Sequence, residues 1–197
     1  MSDEFLLYIS AASDLDALRD ALARAVTEIP VTLNWRIVQS PLRDEPLDYA
    51  AVRQADLHIL ALGGDIRAPI GLEWLVARQA HQAQLTQRLP LLFLREDAHR
   101  TQAAADFVRH VALDGVWQPF TQIGAVRRLM LEQIGRMLRQ RPHFYRLTSA
   151  EMEALQTWLE QLDRQNKDVT ADNQTVASAN SIILSTERFT PSDGVLL

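Results

Sequence analysis

"ADLHILALGGDIRAPIGLEWLVARQA", residues 55–80, is the stretch whose reading decides the fold. Its first part, "DLHILAL" (56–62), is apolar with little alternation, as a strand buried on both faces must be. Gly63 and Gly64 follow, and then a helical stretch expected to begin near Gly71. A buried strand that turns at once into a helix is half of a parallel β–α–β unit. Glu73 falls in the expected first turn of that helix. An acid there is favoured by the helix dipole by about 0.3–1 kcal/mol with no further role needed. The same carboxylate also stands where a site would use it, and both readings are open at this point.

The flanking sequence repeats the alternation. "RLPLLFL" (88–94) and "FLLYI" (5–9) are continuous apolar runs. After the second comes "SAASD", where Ser13 is placed to cap the next helix with Asp16 three residues on. In that helix Leu15, Leu18, Leu22, Val26 and Ile29 form one stripe, and Pro30 ends it. "VTLNWRIV" (31–38) alternates, as a half-exposed edge strand does. "PLDYAAVRQA" (46–55) suits a short helix, and a later one carries Ala104, Phe107, Val108 and Val111. "GVWQPF" (115–120) is a short last strand, and Ile123, Val126, Met130, Ile134 and Met137 stripe the helix after it. Strict alternation with short loops implies an α/β fold with a five-stranded parallel sheet and helices on both faces. The second and fifth strands are the most edge-like, which predicts the flavodoxin-like order 2-1-3-4-5.

The expected organisation is an α/β domain over 1–142, an amphipathic helix over 143–163 and a polar tail or linker over 164–197. Thr148 and Glu151 form a capping box for that helix, and Met152, Leu155, Leu159 and Leu162 form its stripe. The stripe must bury itself on its own domain or on another chain, so self-association or a protein partner through this helix is expected.

Composition narrows the classes. Apolar residues make up 47% of the 197, charged residues 23%, and the formal net charge is −5. That balance draws the chain to neither nucleic acid nor anionic membrane. The Arg127, Arg128, Arg136, Arg139, Arg141 and Arg146 cluster, on the last core helix and its exit, reads as a solvated face, with an acidic partner or nucleic acid as the alternative. Without cysteine, disulfides and thiolate metal sites are excluded. The five histidines show no metal-ligand spacing, so no metal is expected. No apolar run nears the ~20 residues of a membrane span, and "MSDEFLLYIS" lacks the basic start of a signal peptide. A cytoplasmic location is the expectation.

In an open parallel sheet, ligands bind beyond the carboxyl ends of the strands, where the strand order reverses. Here that point lies between the first and third strands. The first loop offers Ser10 and Ser13; the second offers Gly63, Gly64, Asp65 and Arg67 and leads to Glu73. Helix N-termini favour anions, and glycines let a ligand approach the backbone. Asp65 and the serines also suit plain turn and cap roles. Tyr8 reads as core, and Trp74 as a helix–helix contact.

"FLLYISAASDLDALRDAL", "ADLHILALGG", "GLEWLVARQA" and "LPLLFLRED" together resemble the bacterial TIR-like domains, which share a fold with nucleoside deoxyribosyltransferases. The resemblance covers roughly residues 4 to 141. It implies a TIR-like signalling or effector domain, with a place in bacterial defence, that binds a nucleotide such as NAD as substrate rather than as cofactor. In the catalytic relatives a glutamate on the helix after the third strand attacks or stabilises the sugar carbon of an N-glycosidic bond, and Glu73 holds the matching position. The alternatives are a non-catalytic assembly module and a nucleotide sensor.

Overall fold

The computed structural model describes residues 4–41, 45–83 and 89–164. Its strands are β1 (Glu4–Ala11), β2 (Asn34–Gln39), β3 (Leu57–Leu62), β4 (Leu91–Arg95) and β5 (Trp117–Phe120). All neighbouring strands pair parallel, in the order β2-β1-β3-β4-β5. Between and after them run α1 (Asp16–Ala25), α2 (Tyr49–Gln54), α3 (Ala68–Gln82), α4 (Gln102–Val111) and α5 (Ile123–Gln140), and a further helix, α6, spans 149–164. This is the flavodoxin-like arrangement that the alternating pattern implies. Among the described residues no helix is long and apolar enough to cross a membrane.

The chain divides into two compact units, Met1–Trp158 and Leu159–Leu197. The first holds the sheet and its helices. Of the second, the structure describes only the end of α6; the tail expected beyond Arg164 lies outside the described residues.

All six residues of β3 are buried, as its unbroken apolar run requires, and so are all of β1 beyond Glu4. Helix α1 packs against α5, and α2 against α3. Leu6 and Tyr8 of β1 form a core with Ala51 and Val52 of α2 and Val76 and Ala77 of α3. Trp74 joins Leu60, Ile70, Leu92 and Val111 in a second core cluster, which accounts for its indole as packing.

Local chemistry sets several boundaries differently from the pattern. Helix α3 starts at Ala68 rather than near Gly71, because Pro69 suits a first helical turn, where its missing N–H costs nothing. Glu73 therefore lies in the second turn, and no acid occupies the first. The dipole explanation for its presence does not apply. Ser13 does not cap α1: it sits in a short 3-10 turn, and the helix begins at Asp16 without a side-chain cap. Strand β2 is described from Asn34, opposite Glu4, and just before it the Thr32 N–H donates to Glu151 Oε1 at 2.7 Å.

The Thr148–Glu151 capping box is formed. Glu151 N–H donates to Thr148 Oγ1 at 3.2 Å, and Thr148 N–H to Glu151 Oε2 at 2.8 Å. Backbone N–H bonds from Thr148 and Thr32 hold the Glu151 carboxyl down at about 2. At the amino end of the sheet, Tyr145 OH donates to Asp56 Oδ1 (2.9 Å), and Leu6 N–H to Asp56 Oδ2 (2.8 Å).

Candidate functional site

The carboxyl half of β1 and the end of β2 carry a buried polar network with Glu73 at its centre, and His58 joins it from the amino end of β3. Glu73 has no exposed surface. Tyr8 OH donates to its Oε1 at 2.9 Å, and Ser40 OH to its Oε2 at 2.8 Å. The Ser10 hydroxyl is a further partner of the same carboxyl, and it lies 2.7 Å from His58 Nε2. The His58 ring stands edge-on to Tyr8, with centroids 5.0 Å apart.

Four separate parts of the chain place these groups. Tyr8 and Ser10 sit two apart on β1 and so point to one face of the sheet. Ser40 follows β2, His58 is on β3 and Glu73 on α3. Arg19 of α1 holds Ser40 in place from behind. Its guanidinium donates to the Ser40 carbonyl at 3.3 Å and to Gln39 Oε1 at 2.9 Å.

Burial dominates the electrostatics. It raises the Glu73 carboxyl, although hydrogen bonds from Ser10, Ser40 and Tyr8 and the charge of Arg19 pull the other way. Burial and then the adjacent Glu73 push the Tyr8 phenol up. Burial drives His58 down to about 3, so its imidazole is neutral. The Ser10–His58 pair has the spacing of a nucleophile and its base. The order is wrong for a hydrolase triad, since the acid binds the serine rather than the histidine Nδ1, and Ser10 has no exposed surface.

The remaining expected residues form an outer layer. Arg67 donates to Ser13 Oγ at 2.6 Å, a strap between the first and second loops. Gly64 N–H donates to Asp14 Oδ2 at 2.8 Å. A Cβ on Gly63 would lie 2.1 Å from that oxygen, and one on Gly64 2.7 Å from the His99 carbonyl. The glycines thus admit close approach from within the chain. Asp65 accepts from Ile66 N–H (2.8 Å) and Thr101 OH (2.9 Å), the work of a turn residue.

The structure therefore brings Ser10 to Glu73 inside the molecule and Ser13 to Arg67 above it. Ser10 belongs to β1 and not to the loop. Open space at this edge, ≈310 Å3, lies to one side, lined by Asp14, Leu18, Arg95, Phe120, Thr121 and Ile123 among others, and by none of the expected site residues. Tyr8, Ser40, His58, Arg19 and Asp14 were missed. The one available signal was the pair of polar residues, Tyr8 and Ser10, on one face of an otherwise apolar strand. Among the described residues no group of three or more acids or histidines is placed to hold a metal. No protein-family model matches the chain, and neither does any curated protein or solved structure.

Proposed function

We propose that the chain is a TIR-like signalling or effector domain that binds a nucleotide such as NAD at the carboxyl edge of its sheet, with Glu73 as the carboxylate for cleaving the N-glycosidic bond. One observation carries this reading: an acid is fully buried at the point where strand order reverses, on hydroxyl partners rather than in an ion pair. Burying such a group works against stability, and perturbed acids of this kind concentrate at functional sites. Glu73 would oppose the positive charge that develops on the sugar carbon, with Tyr8 and Ser40 fixing its two oxygens. Arg67, Ser13 and the loop amides would face the phosphates. Glu73 has no exposed surface, so the groups around it must part for a sugar to reach the carboxylate.

A second reading, a non-catalytic interaction module or nucleotide sensor, is favoured by the complete enclosure of Glu73. The two separate in one experiment. The full chain is incubated with NAD and with nucleosides, and released base is followed by chromatography. Release that falls about a hundredfold or more in Glu73→Gln supports catalysis, the scale of losing one electrostatic stabiliser. Saturable nucleotide binding without release supports the sensor. Neither binding nor release leaves the interaction module.

A further inference from the structure

Ser10 is fully buried, with one proton to give and two neighbours that can take it. On one side is the Glu73 carboxyl; on the other is His58 Nε2, 2.7 Å away. The remaining partners of Glu73 are committed. Tyr8 OH donates to Oε1 and Ser40 OH to Oε2, and Ser40 Oγ already accepts from the Ala11 N–H at 3.3 Å. The other ring nitrogen of His58, Nδ1, is buried without a partner, so no hydrogen bond on that side fixes the tautomer.

Two proton arrangements satisfy this site. As a carboxylate, Glu73 only accepts. Ser10 then donates to it, and His58 carries its hydrogen on Nε2 to meet the serine oxygen. As a neutral acid, Glu73 has a hydrogen of its own to place. If Tyr8 or Ser40 took it, that residue's own hydroxyl hydrogen would be left unpaired inside the protein, which is costly. Ser10 takes it without that loss, because it passes its own hydrogen to His58 Nε2, and the ring then carries Nδ1–H. Nδ1 lacks a partner in both arrangements and favours neither through a hydrogen bond.

We propose that Ser10 is a positioning residue for Glu73, coupling the charge of this carboxyl to the tautomer of His58. On ionisation the Glu73 O–H bond breaks and its proton passes to Ser10. The serine's own proton moves to Nε2, and the Nδ1 proton is lost to solvent, so one proton leaves and the imidazole stays neutral. The catalytic consequence rests on the reading of Glu73 as the working carboxylate: Ser10 turns its hydrogen toward Glu73 in the charged state that opposes a positive sugar carbon, and away from it in the neutral state.

The neighbouring groups do not imitate this coupling. Burial pushes the Tyr8 phenol up and holds His58 down at about 3, whereas it raises Glu73. Arg19 keeps its charge, and Asp48, just before α2, acts on Tyr8. Glu73→Gln retains all of these groups, so a response of His58 to any of them persists in that variant.

The test follows the full chain, isotope-labelled at histidine and glutamate, by nuclear magnetic resonance across pH. His58 is identified by its ring contact with Tyr8, 5.0 Å between centroids, and Glu73 by the signal lost in Glu73→Gln. The proton of the wild-type ring should move from Nδ1 to Nε2 at the same midpoint as the Glu73 carboxyl ionises. In Glu73→Gln the ring should keep one tautomer at every pH. In Ser10→Ala the carboxyl should still titrate, and the ring should no longer follow it. A wild-type ring that keeps one tautomer throughout the folded range overturns the proposal. So does a ring that follows Glu73 as closely in Ser10→Ala, which would make the coupling one of charge through space. Base release takes no part in this readout, so the coupling and the N-glycosidase reading stand or fail separately.

Discussion

Glu73 has hydroxyls where a buried carboxylate usually has a cation. Tyr8 and Ser40 hold its two oxygens, and Arg19 acts on it only through space. Because burial lifts its pKa above the ordinary 4.5, the unfolded chain gives up this proton first as pH rises. The stability that comes from burying the neutral carboxyl is complete below the ordinary value and is lost as pH rises through the raised one. Glu73→Gln is neutral at every pH. Its melting temperature relative to wild type should therefore climb between acid and neutral pH, and a flat difference would show that the carboxyl titrates normally. Asp56, also raised by burial, and His58, lowered by it, are present in both proteins and cancel in the difference. Tyr8→Phe removes the donor to Oε1 and leaves a buried oxygen short of a partner. Urea unfolding should show a loss of about 1–3 kcal/mol, and a neutral result would mean that the phenol is replaceable by packing.

At the scale of the element, the β3–α3 connection is shaped by Asp14. Its carboxylate takes the Gly64 N–H and fills the space that a side chain on Gly63 would need. Gly63→Ala should cost about 1–3 kcal/mol, the range for overpacking. Asp14→Ala clears that space, so the double variant should be more stable than the sum of the single losses allows. Additive losses in denaturant unfolding would mean that the glycine serves the backbone instead. Here too lies the limit of what the sequence shows. Strands β1, β3 and β4 were legible because each holds an unbroken apolar run, and the sheet order followed from the alternation in β2 and the shortness of β5, which mark them as edges. Glu73 was legible as a candidate. Its partners were not, since Tyr8, Ser40 and His58 come from three separate strand regions, and each alone looks like an ordinary core or turn residue. The start of α3 was misplaced by reading Gly71 as its beginning, when Pro69 was the stronger mark.

Across the whole molecule, the sheet is tied to chain far beyond its last strand. Glu151 caps α6 and also takes the Thr32 N–H beside β2; Tyr145 meets Asp56 and stacks on Phe5 with ring centroids 5.6 Å apart. Leu155 of α6 is fully buried. Leu155→Ala should lower the free energy of unfolding by about 2–5 kcal/mol, the range for a buried leucine. A change under 1 kcal/mol, on the order of a surface substitution, would mean that the helix rests on the domain without supporting it.

The parallel order also has a consequence in time. Strand β1 stands between β2 and β3, and its apolar residues are covered only when both neighbours and their helices exist. A ribosome adding about 5–20 residues each second takes several seconds to go from Ala11 to Leu62. Throughout that interval "FLLYISA" has nothing of its own chain to complete its pairing. The nascent domain is thus most exposed to mispairing along β1, and chaperones that shelter short apolar segments would meet that stretch before its partners are made.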